Sequence, residues 1–80
     1  MSLDELMAEQ AEAARELACL SPKQRQALIL AAKGYRSEEI GQQTGVTAAT
    51  VRYTLEEVRR KLDMGTTMEA VVLATRARWV

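Results

Sequence analysis

Chemistry in this chain is confined to charged and hydroxyl side chains. Among 80 residues there is no His and one Cys, Cys19. A Cys/His zinc site, an internal disulfide and a His-based nucleophile relay are therefore excluded, and neither catalysis nor a metal or other cofactor is expected. Guanidinium, carboxylate and hydroxyl groups remain, and one stretch sorts them by spacing. From Thr47 to Leu62, Val51, Leu55, Val58 and Leu62 recur on one side of a 3.6-residue period, while Ala49, Tyr53, Glu56 and Arg60 recur opposite, with Arg52 on the shoulder. The apolar stripe is that of a helix resting on a core. The polar side suits base edges in a groove, because a guanidinium can bond two acceptors of guanine at once. Arg52 is the best candidate for that contact. Ala48 and Ala49 are small enough to let the helix tip approach closely, and Tyr53 could touch a thymine methyl or a phosphate. Glu56 stands one turn after Arg52 and one turn before Arg60. It either forms an ion pair within the helix, or holds Arg52 in its reading rotamer, or accepts from a cytosine amine.

Groups that position such a helix on a phosphate backbone are hydroxyls, basic side chains and helix N-termini. Thr47 and Thr50 at the start of the helix suit that role, as do Lys33, Arg36, Ser37, Arg59, Arg60 and Lys61. Their clustering is the argument, since each alone could be a solvated charge or a plain cap. Cys19 falls in a joint between helices, where a small buried apolar role is commoner than redox sensing.

The elements that must carry these groups are helical throughout. With four Gly, one Pro and no alternating β-branched run, the chain reads as all-α. Ser2 with Glu5 has capping-box spacing and opens an amphipathic helix to about Cys19, with Leu3, Leu6, Met7, Ala14 and Leu17 on one face and Glu5, Glu9, Glu12 and Glu16 on the other. Ser21-Pro22 with Gln24 opens a second helix that stops at Gly34. Ser37 caps a short third helix to about Thr44, and Gly45-Val46 turns into Thr47, the cap of a fourth helix running to about Asp63. Thr66 with Glu69 repeats the capping spacing, and a last helix spans roughly Thr67 to Trp79. Loops this short make the last four helices pack as one unit. The expected organisation is an acidic helix over residues 1–19 followed by a four-helix domain over residues 20–80.

Net charge is zero, which at first argues against a nucleic-acid partner. Zero is the sum of opposed parts, however. Residues 1–20 carry Asp4, Glu5, Glu9, Glu12 and Glu16 against Arg15, and residues 21–80 carry ten bases against six acids. The body is basic and the first helix acidic. No apolar run reaches the ~18 residues of a membrane span and the first residues lack the basic start of a signal peptide, so a cytoplasmic location is expected.

From Leu20 onward the chain resembles the LuxR/FixJ/GerE type of bacterial helix-turn-helix DNA-binding domain. The opening L-S/T-x-R-E-x-x-V-L is met by Leu20-Ser21-Pro22-Lys23-Gln24-Arg25-Gln26-Ala27-Leu28, and G-x-S-x-x-E-I-A by Gly34 to Gly41. T-V-K-x-H is met by Thr50-Val51-Arg52-Tyr53-Thr54, and the closing K-L-x-V/M-x-S/T-R-T-E-A by Lys61 to Ala70. The resemblance implies a four-helix bundle whose fourth helix, about residues 47–62, enters the major groove of double-stranded DNA, with Arg52 and Tyr53 at bases and Thr47 and Thr50 near phosphates. Three departures stand out: Gln24 or Gln26 replaces the opening acid, Thr54 the usual His, and Glu56 an often basic or polar groove position. A module like region 4 of sigma factors fits Ser37-Glu38-Glu39-Ile40 and Thr50-Val51-Arg52 as well, and the extra helix after Gly65 favours the LuxR type.

On the last helix Ala70, Leu73, Ala74 and Ala77 share one face, with Met68, Val72, Thr75 and Trp79 about 180° away. The first face is expected to be core. The second is expected to be a homodimer surface unless the first helix folds back over it, and the resemblance implies the same use of the last helix. The expected function is sequence-specific transcription regulation by a dimer. A protein-binding adaptor that contacts a transcription factor or RNA polymerase through its first or last helix is the alternative from another class.

Overall fold

Four of the five helices start where a hydroxyl side chain can accept the N–H of the third residue beyond it. The computed structural model describes all 80 residues, ordered as α1 (Leu3–Leu17), α2 (Pro22–Ala32), α3 (Ser37–Thr44), α4 (Ala48–Lys61) and α5 (Thr67–Arg76). There is no strand, so the all-helical expectation holds. Ser2, Ser21, Thr47 and Thr66 accept from the backbone of Glu5, Gln24, Thr50 and Glu69, satisfying donors that the helix itself cannot pair. Only at Ser21 does the reciprocal bond close the box, Gln24 Oε1 accepting from the Ser21 N–H at 3.0 Å.

The start of α3 falls one residue earlier than the sequence suggests. Arg36 is its cap and Ser37 its first helical residue, because the Glu39 carboxylate takes the Arg36 N–H at 2.9 Å. That bond fixes the entry without a hydroxyl. Left-handed residues follow four of the five helices: Gly34 (φ 96°), Gly45 (φ 76°), Asp63 (φ 53°) and Arg78 (φ 61°). Arg78 ends α5 before the expected Trp79, and the Trp79 N–H turns back to the Ala74 carbonyl at 3.0 Å.

One aliphatic core joins four helices: Ala13 and Leu17 of α1, Leu28 of α2, Val58 of α4, and Ala70, Leu73, Ala74 and Ala77 at α5, with Leu20, Leu62, Met64, Val71 and Trp79 packed around it. Leu28 and Val58 are completely covered, worth about 1.5–3 kcal/mol each by transfer. Val51 and Leu55 lie on the inward side of α4 as the periodicity predicts, Val51 buried and Leu55 half-buried.

Two faces differ from expectation. On α1 the packed residues are Ala13 and Leu17, with Glu9 alongside in an ion pair with Arg76 of α5 at 3.4 Å. Leu3, Leu6, Met7 and Ala14 stay exposed. The packed side of the helix is therefore offset from the centre of its own apolar stripe, toward Ala13 and Leu17. α1 packs on α5 alone, and its first two turns carry the apolar side chains outward. Trp79 does not join Met68, Val72 and Thr75: lying beyond the left-handed Arg78, it leaves the helical register and sits half-buried under the Arg25 guanidinium, 4.3 Å from ring centre. Met68, Val72 and Thr75 remain exposed.

Candidate nucleic-acid interface

The pair α3–α4 is a helix-turn-helix, and its close approach is built at Gly41. The Gly41 carbonyl accepts from both Gly45 N–H (2.8 Å) and Val46 N–H (3.0 Å). A Cβ on Gly41 would stand 2.5 Å from the Val46 carbonyl oxygen and 3.3 Å from the Ala48 nitrogen. Only a residue without a side chain lets the turn fold this tightly against α3. The Thr47 cap then launches α4, and its Oγ1 lies 3.0 Å from that of Thr50. Both hydroxyls edge the exposed first turn, beside N–H groups with the positive end of the helix dipole.

Ala49, Arg52 and Tyr53 project from the exposed side of α4. The tip is thus small at Ala49, cationic at Arg52 and aromatic at Tyr53. Arg52 is not held by Glu56. Its Nη1 lies 3.6 Å from Oε1 of Glu38, in the first turn of α3, with both side chains largely in solvent. The neighbouring helix therefore supplies its anionic partner. Lys33 and Arg36 lie exposed at the α2–α3 turn and Ser37 is half-buried at the first position of α3. Lys23, Gln26, Thr44, Val46, Thr50 and Thr54 line a shallow cleft where α2, α3 and α4 meet. Lys23 and Gln26 were not among the expected contact residues, because only the packing of α2 across α4 brings them beside Thr50.

Three residues expected at DNA are engaged elsewhere. Glu56 bonds Arg59, Oε2 accepting from Nε at 3.0 Å and Oε1 from Nη2, and pairs with Arg60 Nε at 3.4 Å. The ion pair within the helix, the plainest of its three readings, is the arrangement observed. Arg59 also donates to the Met64 carbonyl at 2.7 Å. Its guanidinium clasps the α4–α5 turn, so the side chain is occupied and partly covered instead of free for phosphate. The hydrogen bond from Arg59 holds the Glu56 carboxyl below its ordinary value of 4.5, with the charges of Arg59 and Arg60 adding to the effect against partial desolvation. The same bond raises Arg59. Lys61 donates to the Cys19 carbonyl at 3.3 Å and to Gln24 Oε1 at 3.0 Å, tying the end of α4 to the α1–α2 joint, where the Cys19 side chain is exposed and not buried as expected. Arg60 stays exposed and meets only Glu56.

The arrangement can present one cation, one aromatic ring and a ring of hydroxyls and N–H donors to a groove and its flanking phosphates. The family comparison agrees with that chemistry. Residues 10–62 match the model described as Sigma-70, region 4, the alternative to the LuxR type in the sequence reading, and the match ends before α5. No curated protein and no solved structure matches the chain. No helix is long and apolar enough to cross a membrane. With the turn, the cap and the exposed face of α4 all inside the matched span, the chain belongs to the Sigma-70 region 4 family of helix-turn-helix DNA-binding modules.

Proposed function

We infer that the chain is a sequence-reading transcription regulator, a binder with no reaction of its own, that lays α4 in the major groove of duplex DNA. The observation that carries this is the exposed trio Ala49, Arg52 and Tyr53 on a helix whose opposite face is locked into the core through Val51 and Val58. A rigid helix with an exposed guanidinium is what base readout requires. Phosphate contacts fall to Lys33, Arg36, Ser37, Thr47, Thr50 and Arg60. Arg59, Lys61 and Glu56 are assigned to holding the module together.

We further infer a two-fold dimer through α5, the finer LuxR-like feature appended to a region 4 helix-turn-helix. Met68, Val72 and Thr75 on α5 are exposed, and so are Leu3, Leu6 and Met7 on the adjoining α1. Two copies would present their α4 helices about one DNA turn, ~34 Å, apart and select an inverted repeat. The exposed apolar turns of α1 also favour a second reading, a protein partner taken up by this helix. Selection of bound sequences from a random duplex library tests the DNA reading and its dimeric form. An enriched inverted repeat supports the dimeric DNA reader, a single half-site supports a monomeric one, and no enrichment at any salt concentration refutes sequence reading.

A further inference from the structure

We propose that Glu38 is a specificity-determining positioning residue: from the first turn of α3 its carboxylate aims the Arg52 guanidinium and excludes unproductive contacts. The proposal rests on α4 being the reading helix. Arg52 has one ion-pair partner, and it comes from the neighbouring helix: Glu38 Oε1, 3.6 Å from Nη1. The carboxylate residue on α4 itself that could have served, Glu56, is fully engaged by Arg59 and Arg60.

A long side chain on an exposed helix face samples many rotamers, and most would place the charge on the nearest phosphate, a contact that carries no sequence information. A carboxylate beside Nη1 draws the guanidinium toward α3. Nε and Nη2 have no protein partner and stay free for paired acceptors, the O6 and N7 of guanine. Glu38 also sets a negative charge beside the groove-facing side chain. Placing Arg52 on a phosphate leaves that charge uncompensated near the DNA backbone, whereas keeping it at a base leaves the pair together. The free-state energy of such an exposed pair is small. Its effect is on which contact Arg52 makes, so stability is not where it shows.

The test uses the full chain and four variants, Glu38→Gln, Glu38→Asp, Arg52→Ala and the Glu38→Gln/Arg52→Ala double. Each is titrated by anisotropy against a duplex selected by the wild type, single-base variants of it, and an unrelated duplex. A bidentate arginine gives a preference of about 5- to 150-fold at its base pair. Glu38→Gln is expected to cut that preference by about threefold or more at the position where Arg52→Ala abolishes it, while affinity for the unrelated duplex rises. Glu38→Asp should retain part of the preference, and the double variant should lose nothing beyond Arg52→Ala. An unchanged preference in Glu38→Gln overturns the proposal and leaves Arg52 as reader. A uniform loss on every duplex also overturns it, since that is the mark of a merely structural residue. If Arg52→Ala changes no base preference, the assignment of α4 contacts fails first and the role of Glu38 falls with it.

Discussion

Replacing Gly41 by Ala should destabilise this protein, against the general rule for glycine inside a helix. In an open helix the change gains roughly 0.5–1 kcal/mol, because Ala loses less backbone freedom on folding. Here the new Cβ would lie 2.5 Å from a backbone oxygen, that of Val46, roughly 0.9 Å inside ordinary contact. The oxygen cannot swing away as a side chain would, since Val46 is itself bonded through its N–H to Gly41 at 3.0 Å. Backbone shifts forced by an added carbon cost about 1–3 kcal/mol, and a pinned turn belongs in the upper half of that range. The net loss should be about 1–2 kcal/mol, a fall in Tm of about 5–15 °C for a domain this small. Thermal unfolding by circular dichroism reads it directly. Gln42→Gly, at an exposed site in the same helix, supplies the contrast by losing about 0.5–1 kcal/mol from backbone entropy alone. A Gly41→Ala protein as stable as the wild type, or more so, would refute the close-approach argument. Because the clash separates α3 from α4, duplex affinity should fall further than stability does at a temperature where both proteins remain folded.

Arg52→Ala should weaken binding to a selected site by about 1–3 kcal/mol and relax one base position, as competition with single-base variants would show. Glu56→Gln should lower Tm at neutral pH and lose its effect in acid. The Glu56 carboxyl is held below its ordinary 4.5, so its contribution is complete above that value and disappears as pH falls through the lowered one; a gap between wild type and variant that does not narrow on acidification would contradict the clasp. Leu17→Ala should cost about 2–4 kcal/mol in denaturant unfolding, because α1 reaches the common core through this residue, 1% exposed. Changing Glu5, Glu12 and Glu16 together to Gln should raise affinity for unrelated duplex with little change in stability, and an unchanged affinity would mean α1 points away from the DNA. Removing α1 entirely is a poorer test, since it also uncovers the alanine face of α5.

Local rules made much of this architecture readable before any packing. Ser2, Ser21, Thr47 and Thr66 act within three residues of themselves, and the α4 stripe of Val51 and Val58 needs only a regular helix. The start of α3 slipped by one because a carboxylate, Glu39, did the work assumed for the Ser37 hydroxyl. Other features depend on distance in sequence. Nothing local says that Lys61 reaches the Cys19 carbonyl or that Glu38 answers Arg52. Which part of the α1 stripe is packed depends on how α1 meets α5, and its own wheel does not show that. Glu56 lay within reach of basic residues on both sides along α4. The downstream choice was decided by Arg59, which gains the Met64 carbonyl as well, a bond that Arg52 has no means to match. The alternation on the last helix was sound as far as Arg76, and a single left-handed residue at Arg78 removed Trp79 from it.

That displaced ring is the protein's one indole, and its stacking under Arg25 of α2 makes it a built-in optical reporter of the C-terminal strap. Emission follows the docking of the last residues on α2, whereas far-ultraviolet ellipticity follows all five helices. Coincident melting curves would mean that strap and recognition unit unfold as a single cooperative body. An earlier transition in emission would identify the C-terminus as the first segment released, leaving the helix-turn-helix intact behind it.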